Sequence, residues 1–354
     1  MEAKIAELEN EVARHPALMA RRSDPSSSSS ALTVLPRSPA RHSLQGHRQP
    51  ITALAFHPSF SMLVSASEDA TLKIWDPESG EFERTLKGHT KSVSAVAFHP
   101  NGNLIASCSA DLTIKVWNAD EDFKCIKTLF GHDHSVSHVL FVPPAGDLMV
   151  SASRDKSIRV WETVSGYCQK TLVGHSDWVR ALAVTADGKY LASASSDQSV
   201  RIWDLHSGEC KAELLGHTHV VECVTFLPLE AHGHVQELCK LAKDTESSSS
   251  GRFVMSGSRD KTVRLFDTLT VQCIYCFQGH DNWVRGLVVY FQPQYVVSVS
   301  DDKTMRVWDL KTGRCCRTID AHSHFVTCVT MSPISGLIAT GSVDQTVKIW
   351  SSTS

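Results

Sequence analysis

The sequence predicts an all-β fold, a seven-bladed β-propeller: a closed ring of four-stranded sheets, preceded by a short N-terminal helix and a linker. Three observations predict it. A Gly-His dipeptide recurs at Gly46-His47, Gly88-His89, Gly131-His132, Gly174-His175, Gly216-His217 and Gly279-His280, and as Ala321-His322. A large aromatic closes each unit, at Trp75, Trp117, Trp161, Trp203, Phe266, Trp308 and Trp350. Six residues before each aromatic stands an aspartate: Asp69, Asp111, Asp155, Asp197, Asp260, Asp302 and Asp344. The steps between dipeptides are 42, 43, 43, 42, 63 and 42 residues. One such unit is a sheet that cannot bury both faces alone, so the copies must stack.

Residues 1–15, MEAKIAELENEVARH, read as a helix, with Met1, Ile5, Leu8 and Val12 at coiled-coil spacing. Two heptads are too short to hold a dimer, because isolated helices of this length are marginal. Pro16 ends the helix, and residues 16–40 read as a Ser/Pro-rich linker, with a serine run from Ser26 to Ser30. The propeller is expected over residues 41–354. Its clearest unit is 279–309, where β-rich runs are broken at Gln292-Pro293-Gln294 and at Asp301-Asp302-Lys303. The sequence stops just after Trp350, the third strand of a blade. Arg41-His42-Ser43-Leu44 is therefore expected to supply the fourth strand and remove the open edge of the ring. The fifth copy carries a long insertion at about 227–251. Within it Glu230 to Lys243 reads as a short helix and Ser247 to Ser250 as a disordered tip.

Composition narrows the function classes. A net charge of −3 gives no field suited to wrapping nucleic acid. No apolar stretch of the sequence approaches the ~20 residues of a membrane span, so no membrane insertion is expected. Of the eleven cysteines, Cys168, Cys210, Cys273 and Cys315 lie seven residues after the closing aromatic, and Cys125 lies eight after. Copies in different blades sit too far apart to pair. Cys273 and Cys276 form a CxxC, but an odd separation within a strand points them to opposite faces. The cysteines read as small packing residues in a reducing compartment.

Each copy resembles the WD repeat of β-propellers, which has a similar period and the same Gly-His and Trp-Asp signatures. The resemblance implies that histidine, serine, aspartate and tryptophan share a hydrogen-bond network within each blade. A buried carboxylate needs donors, and imidazole, hydroxyl and turn N–H groups supply them. The serine expected to join this network lies two residues before the aspartate, so the sixth copy's set is His280, Ser300, Asp302 and Trp308. These residues are scaffold, because a catalytic set would be a single exception rather than seven copies. No GxxxxGK[ST], HExxH or GxSxG occurs. No enzyme activity and no cofactor are expected. No metal site is expected either, since His232 and His234 lack a third ligand nearby.

What remains is a binding surface, and comparing copies isolates the exceptions. Beside the aspartate, the third and fifth copies carry Arg154 and Arg259, and the sixth carries Lys303. Three residues after the histidine stand Trp178, Trp283 and Phe325, and five after it stand Arg180 and Arg285. The other copies place mainly small residues there. A turn in one blade lies near the loop leading to the next, so Arg154 should neighbour Arg180, and Arg259 should neighbour Trp283. Trp and Arg are the types enriched at interface hot spots, and cations steer acidic partners.

Several segments resemble one family within the repeat class. They are SASEDATLKIW from Ser65, ERTLKGHT from Glu83, KAE from Lys211, HVVEC from His219, GHDNWVRG from Gly279, AHSHFVT from Ala321 and GSVDQTVK from Gly341. They are similar to the lissencephaly/nuclear-distribution (nudF-type) family, regulators of cytoplasmic dynein. The resemblance implies a propeller that binds the dynein motor domain through Arg154, Arg180, Arg259, Trp283 and Lys303, with Trp178, Arg285 and Phe325 as further contacts. It implies motor activation, microtubule plus-end targeting, nuclear migration and spindle positioning. The implied location is the cytoplasm and cytoskeleton, at plus ends and at spindle poles or the centrosome. Implied partners also include coiled-coil adaptors of the nuclear-distribution E type and microtubule-associated assemblies. Family members usually begin with a LisH dimerisation motif and a longer coiled coil. This sequence starts within the coiled coil, so dimerisation is not expected from it. Two other roles fit the repeats: a generic WD scaffold or substrate receptor, and a non-catalytic subunit of a platelet-activating-factor acetylhydrolase complex.

Overall fold

Each repeat forms a four-stranded antiparallel sheet in the computed structural model, which describes residues 35–241, 250–290 and 292–352. The expected helix at 1–15 and most of the linker lie outside the described residues. Seven such sheets make the expected seven-bladed propeller. The sixth blade runs β22 (Val284–Val289), β23 (Tyr295–Ser300), β24 (Thr304–Asp309) and β25 (Cys315–Asp320). β22 is innermost and packs against β18 (Val221–Phe226) and β26 (Val326–Met331), the first strands of its two neighbours. The burial of each strand follows from its place. Every residue of β23, YVVSVS, is buried, because neighbouring blades cover both its faces, and apolar and small side chains fill it. The outermost β25, CCRTID, is largely half-buried or exposed, and it carries Arg317 and Asp320.

Ring closure joins the two ends of the propeller. β1 (His42–Gln45) pairs with β28 (Thr346–Trp350), from His42 opposite Ile349 to Gln45 opposite Thr346. The stretch read as linker up to residue 40 joins the ring from Pro36 onward. The Arg37 N–H donates to the Ser351 carbonyl (3.2 Å), and a guanidinium N–H of Arg317 donates to the Pro36 carbonyl (2.8 Å).

The histidine network exists, but its hydroxyl is not the one expected. His280 Nδ1 pairs with Asp302 Oδ2 (2.7 Å), and His280 Nε2 meets Ser298 Oγ (2.6 Å). The Trp308 indole N–H donates to the same Ser298 oxygen (2.8 Å). Ser300 instead donates to the Asn282 carbonyl and accepts the Asp302 N–H, both at 3.1 Å. Two serines two residues apart face the same side of β23. The deeper one is level with the indole, and the outer one fastens the turn. Six repeats share this Ser-x-Ser-x-Asp pattern, so spacing alone does not choose between them. In the seventh blade Thr340 takes the deeper role, bonding His322 and Trp350 (2.8 and 2.9 Å). The Gly-His glycine has a steric reason: a Cβ on Gly174 would lie 2.8 Å from Trp203 Cη2.

The network also sets the ionisation of its members. Burial opposes charge on Asp111, but hydrogen bonds from Thr113, the Thr90 N–H and His89 outweigh it and hold the carboxyl at about 2. Asp302 is pushed lower still: burial again opposes, and His280 and Thr304 overcome it. Burial lowers His47 and His89 despite their aspartates, so both stay neutral near pH 7.

The repeat-encoded cysteines also find a place. Cys125, Cys168, Cys210, Cys273 and Cys315 each sit opposite the closing aromatic, at an irregularity between the third and fourth strands. In the fifth blade the insertion forms α1 (Leu229–Cys239), which buries Ala231, His232 and Val235. His232 packs edge-on against Phe253 (4.8 Å), a packing role.

Candidate partner-binding face

One backbone device recurs at the inner end of every blade. The first strand slips register against the second, leaving one extra residue: Thr52, Ser94, Ser137, Arg180, Glu222, Arg285 and Thr327. Such a β-bulge bends the strand and re-aims the side chain it carries. A second device recurs in the turn after each aspartate. Ala70, Leu112, Lys156, Gln198, Lys261, Lys303 and Gln345 all hold positive φ, between 65° and 72°. The His-Asp pairs bring these turns and the Gly-His loops to the same end of the ring, here called the upper face.

Two stacks stand out on that face. In the first, the Arg154 guanidinium of blade 3 lies 4.4 Å from the Trp178 ring centre, and Arg180 of blade 4 lies 5.2 Å from it. In the second, Arg259 of blade 5 lies 4.1 Å from the Trp283 ring centre, and Arg285 of blade 6 lies 5.0 Å from it. Each stack draws one arginine from a turn and the other from the next blade's bulge. Each also has a histidine beside its indole: His134 at 6.4 Å from Trp178, and His219 at 6.3 Å from Trp283. Both tryptophans are half-buried, whereas Arg154 and Lys303 are exposed. The indoles are thus guanidinium-covered platforms rather than free anchors. Cation–π contacts of this kind contribute roughly 0.5–2 kcal/mol each.

Glu222 ties the stacks together. It meets Arg259 Nε at 2.5 Å, Arg180 at 3.7 Å and Arg285 at 3.7 Å, and only 9 % of its side chain is exposed. Asp301 holds Arg285 by two bonds, at 2.9 and 3.0 Å. Arg180 donates Nε to Ser196 (2.9 Å). Four guanidiniums thus face two carboxylates, and this cluster keeps an excess of positive charge. Arg180 registers it: burial lowers its pKa, Glu222 pulls upward, and Arg259, Arg154 and Arg285 push it down again. For Arg285 burial also opposes charge, but Asp301 and Glu222 outweigh it.

The sequence-predicted residues therefore separate. Arg154, Trp178, Arg180, Arg259, Trp283 and Arg285 form the two linked stacks. Lys303 sits on the turn of blade 6 with its side chain exposed. Phe325 meets His324 (4.5 Å) and joins neither stack among the described contacts. Sequence comparison did not single out Glu222, Asp301, His134 or His219. Glu222 carried a signal, as the one acid at a position otherwise filled by hydroxyls or arginine.

Similarity to known proteins fits this architecture. A family profile described as "WD domain, G-beta repeat" matches residues 39–76, 80–118, 123–162, 166–204, 208–267, 271–309 and 313–351. The chain is 49% identical to "Nuclear distribution protein PAC1" of Coccidioides posadasii over 299 residues, 81% of this chain and 62% of that protein. Against the protein of the same name from Gibberella zeae it is 43% identical over 299 residues, 81% of this chain and 64% of that one. Against that from Fusarium vanettenii it is 43% identical over 265 residues, 72% of this chain and 59% of that one. The matched stretch thus spans about three fifths of these relatives. The chain belongs to the WD-repeat family, and within that family it is similar to nuclear distribution proteins of the PAC1 type.

Proposed function

We propose that the chain is a non-enzymatic regulator in the cytoplasmic dynein pathway whose upper face binds the motor domain. The observation that carries the reading is the pair of Arg-Trp-Arg stacks, linked by Glu222 and left with excess positive charge. A rigid aromatic platform bearing guanidiniums suits an acidic protein surface, because the desolvated area supplies affinity and the charge speeds encounter. The names of the similar proteins and the nudF-type segments support the choice of pathway. Arg154, Arg180, Arg259, Trp283 and Lys303 are the primary contacts, with Trp178 and Arg285 beside them. Phe325 is a peripheral contact. On this reading the protein works in the cytoplasm, at microtubule plus ends and spindle poles, in plus-end targeting, nuclear migration and spindle positioning. Its further partners are coiled-coil adaptors of the nuclear-distribution E type. The test is motor-domain binding by the wild-type chain and by a variant with alanine at all five primary positions, at matched melting temperature. Binding lost by the variant supports the reading. Unchanged binding by a folded variant rejects this face, and absence of binding by the wild type rejects the motor as partner.

A further inference from the structure

A central channel of about 750 Å³ runs along the ring axis, and three of the four arginines line it. Arg154, Arg180 and Arg285 share this lining with Trp178 and Glu222 on the blade 3 to blade 6 wall; Glu68 lines the blade 1 side. The donors there are not equally used. Arg285 is held by Asp301, but Arg154 has no carboxylate partner among the described residues, only the face of Trp178. Arg180 spends Nε on Ser196, and its nearest carboxylate oxygen lies at 3.7 Å, beyond hydrogen-bond distance. The terminal amino groups of two adjacent guanidiniums therefore present donors to the channel without acceptors. His138, one residue beyond the bulge on the first strand of blade 3, also lines the channel.

We infer that the mouth of this channel is a binding site for a small molecule bearing two or more phosphate groups. Guanidinium forks match phosphate oxygens in geometry and charge. Two forks flanking one indole present more donors than a single carboxylate accepts. The donors line a cavity wall rather than a flat rim, which selects a compact anion. Glu222 in the same wall repels any anion, so the attraction of the surrounding guanidiniums must outweigh it. The bulge positions equivalent to Arg180 hold hydroxyls in blades 1, 2, 3 and 7, so the fold does not require an arginine there. This inference goes beyond the motor-binding reading and does not depend on it.

The test is isothermal titration of the chain with sodium tripolyphosphate at low ionic strength, with tryptophan fluorescence followed in parallel. Saturable binding is expected, weakened at least tenfold in the double variant Arg154→Ala/Arg180→Ala. Glu222→Gln should tighten it several-fold by removing the repelling charge. Arg314→Ala, exposed in the hairpin at the opposite end of blade 6, should leave it unchanged. Should the double variant unfold, Arg154→Glu alone, an exposed site, carries the same expectation of loss. Absence of binding by the wild type at about millimolar tripolyphosphate would overturn the inference. So would equal binding by the wild type and a folded double variant. No motor domain is present in the titration, so a failed motor interaction leaves its result intact.

Discussion

Blades 7, 1 and 3 and blades 4, 5 and 6 use the same bulge for opposite purposes. In the first group the bulge residue is a hydroxyl that reaches the next blade. Thr327 donates to the Ile51 carbonyl, Thr52 to the Val93 carbonyl and Ser137 to the Val179 carbonyl, each at 2.6 Å. These bonds fasten neighbouring blades where each inner strand begins. In the second group the bulge carries Arg180, Glu222 and Arg285. Those side chains bond to one another and to nearby turns across the upper face. One half of the ring spends the device on cohesion, and the other half, on the proposed function, on recognition. An identical backbone feature is therefore no guide to role; the side chain it aims decides.

The largest effect should come from the recognition half. Trp283→Ala removes the platform under Arg259 and Arg285 and should weaken motor binding by about 2 kcal/mol, roughly thirtyfold, with little change in melting temperature. A pull-down series at matched stability checks it, and a variant that loses stability but keeps affinity would erase the division between the halves.

The cohesion half should show the reverse. Thr327→Val keeps the shape but leaves the buried Ile51 carbonyl without its side-chain donor. The expected cost is about 1–2 kcal/mol of stability, read by urea unfolding, with motor affinity unchanged.

Acid should strike both halves alike, since the histidine network is common to them. The Asp111 carboxyl is held at about 2, below its unfolded value near 4, so its contribution is present above pH ~4 and is lost as pH falls towards 2. His47 and His89 are lowered by burial, so their contribution is present above pH ~6.5 and shrinks as pH falls through their folded values. Melting temperature should drift down below pH ~6.5 and drop steeply below pH ~4. A flat profile down to pH 3 would contradict the network's role.

Two smaller effects sharpen the contrast. Arg180→Ser grafts the cohesive hydroxyl into the recognition half, within reach of the Val221 carbonyl if the geometry of the other blades is followed. It should raise stability by about 0.5–1 kcal/mol while weakening motor binding. Lys303→Gly relieves a left-handed residue but loosens the unfolded chain, terms of about 1 kcal/mol each that should nearly cancel. Its stability should stay within about 0.5 kcal/mol of wild type while motor association slows and loses part of its salt dependence.

Blade number, strand order and closure were legible because each rests on a period or a missing strand. The hydroxyl of the network was misread, Ser300 for Ser298, because two serines share a strand face and only depth separates them. Arg154, Arg180, Arg259 and Trp283 were legible as exceptions in register. The sharing of Glu222 among three arginines was not, since it depends on how far adjacent blades rotate. The half-buried state of Trp178 and Trp283 was equally hidden, because the covering arginines come from other repeats.

The pairing of β1 with β28 has a mechanical consequence. Tension applied at Pro36 enters the ring through the outermost strand of a blade whose other three strands come from the far end of the chain. Once the bonds from Arg317 to Pro36 and from Arg37 to Ser351 give way, the four residue pairs from His42 to Gln45 carry that load. On the proposed function, a regulator attached to a force-generating machine has its latch in the load path. Pulling on the N-terminal side would unfasten the ring at its seam, while force delivered across the upper face would spread through seven intact sheets.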